Sequence, residues 1–237
     1  MEVQEWIRSF DILSIQETKI DSTFPQFSLQ GYNTCRRERE KGGGGIQVYV
    51  GNSIPSYQIK TKCGEVEAML IDIQRGQQHF SLSSVHKPPS VKSEIFTKEM
   101  SVLLDLAILN RPDVISIGDL TCGLLHPVDN GKQGRELLDI CVVYDLHNLI
   151  NEPTRASSTK ESCRDVLLTN VPSLVFKSGT ADIGLSDHML IYTILNKKFM
   201  KPKARFIKER SFKEFNEIEF NKIYKSFLSM WLMCLMR

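Results

Sequence analysis

A layered α/β domain built on a mixed or mostly antiparallel β core is the fold class this sequence predicts. Three observations point to it. Short apolar segments with strand character outnumber helical ones, and the segments between helices hold strands in pairs, unlike a simple alternating βαβ sheet. Two longer stretches carry apolar residues at helical spacing. No fixed-period repeat runs through the chain.

The elements follow in order. Val3, Trp6, Ile7 and Phe10 recur at i, i+3, i+4 and i+7, which predicts a short amphipathic helix. Ile12, Leu13 and Ile15 then predict a buried strand that ends at an acid, Glu17. The run Gly42 to Gly45 enters Ile46, Val48 and Val50, whose alternation predicts a half-buried strand. It lacks the Lys-Ser/Thr of a phosphate-binding loop and precedes a strand, so it reads as a turn. "VEAMLIDI" and "FSLSSV" predict two more strands, the second stopped by Pro88 and Pro89. Phe96, Met100, Leu103, Leu104 and Ala107 share one helical face that ends near "NRPD". "DVISIGD" returns to strand and stops at Asp119. "GRELLDICVVYDL" predicts a helix, and "RDVLLTN", "SLVF" and "MLIYTIL" predict strands.

Composition narrows the class. With 237 residues, 41% hydrophobic and 24% charged, the chain can bury a large core. Six cysteines without a C-x-x-C pair suggest neither a zinc site nor a disulfide framework, and a reducing compartment fits them best. The N-terminal decapeptide contains Glu2 and Glu5 and no apolar core, which argues against a secretory signal. "FLSMWLMCLM" is only half a membrane span. An intracellular protein, nuclear or cytoplasmic and not secreted, is therefore expected. The net charge of +2 is too small to argue for nucleic acid without its distribution.

Chemistry concentrates at strand ends. A carboxylate at the lip of a sheet can hold a hard cation, because Mg²⁺ takes oxygen ligands and needs only one or two from protein. Glu17 is either such a ligand or the solvated first residue of a loop. Asp119 ends another strand, Asp165 opens a third, and Ser186, Asp187 and His188 stand just before a strongly apolar strand. His188 is either a satisfied structural histidine or a ring held by a carboxylate, which would fix its tautomer and favour its charged form. An imidazolium beside acids that hold a metal is equipment for attacking a phosphodiester.

The stretches "QETK", "GGGGIQVYV", "SVHKPPS", "IGDL", "LINEPTR", "SCRDVLLTN" and "LSDH" occur in the order and approximate spacing of the exonuclease–endonuclease–phosphatase superfamily. Over residues 1 to 196 the sequence most resembles the endonuclease domain of non-LTR (LINE-like) retrotransposons. That resemblance implies a four-layer α/β/β/α sandwich, DNase-like, and a metal-dependent hydrolase that nicks one DNA strand and leaves a 3′-hydroxyl for a reverse transcriptase. The implied cofactor is Mg²⁺, with Mn²⁺ as the alternative. DNA is the implied partner, with no membrane, no small-molecule cofactor and a monomeric state. By position, Glu17 would be the main metal ligand, with Asp187 near the metal. Asp119 would orient or deprotonate the attacking water. His188 would contact the scissile phosphate with Asp165 as its orienting partner.

The sequence departs from the family pattern. The family's first strand, with an asparagine at the metal edge, would lie upstream of the helix at which this chain begins, so a first strand is expected to be missing and the domain to melt early or aggregate. Thr121 stands where the family has asparagine, and a hydroxyl is shorter and offers one donor. His86 stands in the family's tyrosine position, and catalytic geometry tolerates little misplacement. Arg164, beside Asp165, could compete with His188 for that carboxylate. These changes resemble an ageing copy of a mobile element.

Residues 197–237 read as a basic linker and an amphipathic helix leading toward an absent reverse transcriptase. From Lys197 to Arg210 seven basic residues face one acid, Glu209, with Phe199 and Phe206 interleaved. Lys197, Lys198, Lys201, Lys203 and Arg205 either track a phosphate backbone or keep a linker solvated. Ser211 and Glu214 form a capping box for the helix that follows. Three functions follow from these readings: a weakened metal-dependent DNA endonuclease, a catalytically inactive remnant that binds nucleic acid, or a phosphoinositide or nucleotide phosphatase.

Overall fold

Alternation along the strands sorts their side chains onto two faces, and that sorting builds the molecule. The structure, a computed structural model, describes residues 10–20, 23, 28–37, 44–121, 131–156, 161–196, 216–219 and 221–222. Strands β1 (Ile12–Gln16), β2 (Tyr32–Arg37) and β3 (Ile46–Gly51) form an antiparallel sheet in the order β1-β3-β2. A larger sheet contains β4 (Ser56–Ile59), β5 (Glu67–Arg75), β6 (Gln78–His86), β7 (Val114–Asp119), β8 (His147–Asn148) and β11 (Asp165–Thr169), in the order β4-β5-β6-β7-β11-β8. The short pair β9 (Arg155–Ala156) and β10 (Glu161–Ser162) and the hairpin β12 (Val175–Ala181) and β13 (Leu190–Leu195) complete the strands. All pairings are antiparallel except β6 with β7, which are joined through helix α1 (Ser93–Asn110) because parallel neighbours need a crossover. The second helix, α2, spans Gly131–Val143.

Ala68 and Leu70 of β5, Val85 of β6, Val114 of β7 and Val166 and Leu168 of β11 face Phe96, Met100, Leu103, Leu104 and Ala107 of α1 and Leu137 and Ile140 of α2. The opposite parity, Met69, Ile71, Ile73, Phe80, Leu82, Ile115 and Leu167, meets Ile46, Val48 and Val50 of β3. Two β layers with helices packed outside are the α/β sandwich that the sequence predicts. Truncating a fully buried side chain such as Leu70 to alanine would cost about 2–5 kcal/mol.

Several elements differ in detail from the sequence reading. β3 is buried on both faces, not half-buried, because it is the central strand of its sheet and Tyr49 packs among Leu13, Leu29 and Tyr32 on the side away from the larger sheet. "SLVF" divides between a 3₁₀ turn at Pro172–Leu174 and the start of β12. β2, whose polar sequence "YNTCRR" lacks an apolar pattern, is a strand through its pairing with β3. The expected helix over Val3 to Phe10 and the capping box at Ser211 lie outside the described residues. The chain divides into two units, residues 1–197 and 198–237. Among the described residues no helix is long and apolar enough to cross a membrane.

Two close approaches shape one rim of the larger sheet. The α1 residue Glu99 accepts hydrogen bonds from the backbone N–H groups of Gly64, Glu65 and Val66 at 2.8–3.2 Å, fixing the chain just before Glu67 at the start of β5. At Gly118 a Cβ would lie 1.7 Å from the Val85 carbonyl oxygen, so only glycine lets β7 close on β6 one residue before Asp119.

Candidate active site

Strand register, more than loop shape, assembles the site. Glu67 pairs with His86, His86 with Asp119, and Asp119 with Asp165, so four chemically active residues stand side by side across β5, β6, β7 and β11. Directly paired residues share a face, and this row continues the inner face of Met69, Leu82, Ile115 and Leu167 to its polar rim. The other β layer closes on both ends of the row. Glu17, just past β1, reaches His86, and His188, just before β13, reaches Asp165.

At one end, Asp165 Oδ2 lies 2.9 Å from His188 Nδ1. Asp165 is nearly buried, and the Thr154 hydroxyl oxygen accepts the backbone N–H of Arg164 and of Asp165 at 3.0 and 3.2 Å, which holds this strand end still. An isolated backbone bridge between Arg155 and His188 places the imidazole over it. The hydrogen bond to Asp165 raises the pKa of His188 above its ordinary 6.5, and the charges of Asp165, Asp119 and Asp187 add to this against partial desolvation. Arg164 does not displace the ring from Asp165.

In the middle, burial raises the pKa of Asp119 and the neighbouring Asp165 charge raises it further, against the Thr121 N–H and the two histidines. Asp119, Asp165 and His188 each offer a ligand atom within 4.8 Å of the others. Thr121 N–H donates to Asp119 Oδ1 at 2.8 Å, and the Thr121 hydroxyl donates to the Leu120 carbonyl at 2.7 Å, so its single hydrogen is already engaged. Thr121 and Glu17 both have left-handed backbones, with φ of 55° and 52°. Such strain in a β-branched or charged residue gathers at functional sites.

At the other end, His86 is 3% exposed and lies between two carboxylates. Its Nδ1 is 2.9 Å from Glu67 Oε2 and its Nε2 is 3.1 Å from Glu17 Oε1. Burial opposes a charge on this ring, but the Glu67 hydrogen bond and the charges of Glu67, Glu17 and Asp119 outweigh it and raise the pKa. Glu67 Oε2 also accepts the Gly45 N–H at 2.9 Å. Gly44 has φ of 79°, and a Cβ there would lie 2.0 Å from Glu67 Oε1. Gly44 and Gly45, the described part of the glycine run, are thus the wall against which a buried carboxylate rests, while the turn expected from Gly42 onward begins outside the described residues. Below the rim, Ser14 and Ser84 hydroxyls meet at 2.7 Å and the Gln16 amide donates to both, tying the end of β1 to β6 and setting Glu17 above His86.

The expected residues are therefore not equally placed. Glu17, His86, Asp119, Thr121, Asp165 and His188 share one rim. Asp187 is turned to an ion pair with Arg155 and is not one of the three clustered ligand residues, because the loop before β13 aims it at β9. Lys197, Lys198, Lys201, Lys203 and Arg205 lie outside the described residues. Sequence reasoning missed Glu67 and Lys87. Glu67 could have been found as the one acid at an inward-facing position of "VEAMLIDI". Lys87 is 1% exposed, with Nζ 3.4 Å from Thr121 Oγ1 and 5.9 Å from the centre of the Phe96 ring, so it sets a positive charge beneath Thr121.

This geometry sits on a known architecture. The endonuclease domain of TRAS1, a telomere-specific non-LTR retrotransposon, superposes with a TM-score of 0.66 at 17% identity, over 83% of this chain and 90% of that one. The fold is that of the endonuclease/exonuclease/phosphatase proteins. A protein of that family from Leptotrichia buccalis matches with a TM-score of 0.59 at 15% identity, over 82% of this chain and 90% of its own. An AP endonuclease from Archaeoglobus fulgidus matches with a TM-score of 0.57 at 16% identity, over 82% and 93%. No family model and no curated protein sequence matches the chain. The resemblance read from the motifs is thus borne out at the level of the superfamily's fold.

The residues present fit a divalent cation. Asp119, Asp165 and His188 offer clustered ligand atoms, and the pKa of Asp119 is raised by burial and by a like charge, which a cation would relieve; Glu17, expected as the main ligand, lies outside that group and stands beside His86 on the same rim.

Proposed function

We propose that the chain is a metal-dependent DNA endonuclease that hydrolyses one phosphodiester of a duplex and leaves a 3′-hydroxyl. The observation that carries this reading is the in-register row Glu67, His86, Asp119 and Asp165, capped by Glu17 and His188 from the opposing layer. Glu17 would hold Mg²⁺ or Mn²⁺, which when bound neutralises charge developing on phosphate oxygens. His188, charged and held by Asp165, donates to a non-bridging phosphate oxygen. Asp119 orients the water and takes its proton as the water oxygen bonds to phosphorus, and a raised carboxyl pKa makes it the better base. The P–O3′ bond breaks, giving a 5′-phosphate and, after protonation, the 3′-hydroxyl from which reverse transcription could be primed. Residues 1–196 would carry the chemistry as a monomer in the nucleus or cytoplasm, and the basic residues from Lys197 to Arg205 would track the DNA backbone.

A second reading, a weakened or inactive remnant that binds nucleic acid, is favoured by Thr121, whose one hydrogen is engaged with Leu120, and by the pairing of Asp187 with Arg155. Nicking of supercoiled plasmid with and without a divalent cation decides between them. Cation-dependent nicking that disappears in Asp119→Ala and His188→Ala supports the endonuclease. DNA binding without nicking supports the remnant, and folded protein that does neither turns attention to phosphoinositides and nucleotides.

A further inference from the structure

His86 has a nitrogen that the fold leaves unsatisfied. Glu67 takes Nδ1 at 2.9 Å, and since Glu67 is itself buried and braced by the Gly45 N–H, it fixes Nδ1 as the N–H and turns Nε2 toward the rim. Nε2 is fully buried and has no hydrogen-bond partner among the described residues. Glu17 Oε1 approaches it to 3.1 Å but off the line of the ring nitrogen, so the approach is close without being a hydrogen bond. Buried polar nitrogens without partners are rare in native proteins, and each calls for an explanation.

A shared cation explains both the orphan nitrogen and the off-line carboxylate. Around an ion with bonds of about 2.1 Å, two ligands at right angles stand about 3.0 Å apart, and the ion lies on the lone-pair axis while the second ligand lies off it. Glu17 Oε1 and His86 Nε2 have that spacing, and the pair does not form a hydrogen bond. The carboxylate behind the ring completes the carboxylate–histidine–metal arrangement that orients imidazole ligands. We propose that Glu17 and His86 Nε2 jointly ligate the divalent cation, so the site selects a nitrogen-accepting transition metal such as Mn²⁺ over Mg²⁺. This rests on the metal-dependent reading above. The preference follows because imidazole suits transition metals whereas Mg²⁺ takes oxygen.

The test loads the full-length chain with Mn²⁺ alone and reads nitrogen coupling by electron spin-echo spectroscopy, with Mn²⁺ and Mg²⁺ affinities measured by calorimetry. Expected are ¹⁴N coupling that survives His188→Gln and disappears in His86→Gln, and a Mn²⁺ affinity that drops about 10–100-fold in His86→Gln while Mg²⁺ affinity changes far less. Should His86→Gln not fold, the His188→Gln protein still decides: coupling that persists supports the assignment, coupling that vanishes overturns it. Bound Mn²⁺ without nitrogen coupling in the natural chain also overturns it, and if such protein still nicks DNA the endonuclease reading stands alone. Failure to bind either metal overturns both.

Discussion

Asp165 and His188 meet at 2.9 Å, Oδ2 to Nδ1, and Glu67 and His86 meet at the same 2.9 Å across the same sheet rim. Each imidazole is thus held from behind by a carboxylate on the larger sheet, and the two rings frame Asp119 from opposite sides. Asp165 and His86 are the two strand partners of Asp119, so the pairing of β7 with its neighbours alone brings both dyads to one place.

That relationship sets a pH dependence. His188 and His86 have folded pKa values raised above 6.5, and Asp119 is raised above 3.8. A raised folded value means stability that is fully present below the unfolded value and lost as pH climbs through the folded one. The metal-free protein is therefore expected to become less stable as pH rises from about 6.5 into the alkaline range. Thermal melts in chelator across pH 5.5–9 check this, and Asp165→Asn should remove the His188 share and lower that ring's pKa as followed by NMR. Stability that instead rises through this window would contradict the assignment.

Gly44→Ala tests the wall behind Glu67. The new Cβ would stand 2.0 Å from Glu67 Oε1, and φ of 79° is unfavourable for any side chain. A loss of roughly 1–3 kcal/mol is expected from urea unfolding, together with a lowered His86 pKa as Glu67 is pushed away. Unchanged stability would show that the carboxylate does not rest there.

Thr121→Asn should stabilise the fold and raise nicking together. Thr121 holds φ of 55°, where a β-branched residue is strained and asparagine is tolerated. A gain of about 1 kcal/mol is expected, and the amide supplies a donor in place of the hydroxyl engaged by Leu120. A variant that is less stable and no more active would show that Thr121 is adapted to this site. With His86→Tyr, which removes the nitrogen ligand, the metal preference should move toward Mg²⁺.

The basic run that starts at Lys197 should act through charge. Replacing Lys197, Lys198, Lys201, Lys203 and Arg205 by glutamine is expected to weaken DNA binding and flatten its salt dependence, by up to about 0.9 in slope for each phosphate no longer neutralised. Binding isotherms at several salt concentrations measure it. An unchanged slope would make the run a solvated linker.

The sequence by itself determined the fold class and most of the rim. Strand and helix periods are local properties, and an acid or histidine at the end of an apolar run can be seen without its neighbours, which is why Glu17, Asp119, Asp165 and His188 were legible. Only the tertiary structure decided which of these meet. Register between β5 and β6 places Glu67 beside His86, and nothing local in "VEAMLIDI" says that Glu67 will face an imidazole nineteen positions later. The same holds for Asp187, adjacent to His188 in sequence but directed to Arg155 because neighbours along an irregular loop need not share a direction. Burial on both faces of β3, the glycine wall against Glu67 and the orphan nitrogen of His86 depend on the second layer closing over the first, and that closure is a property of packing between segments distant in the chain.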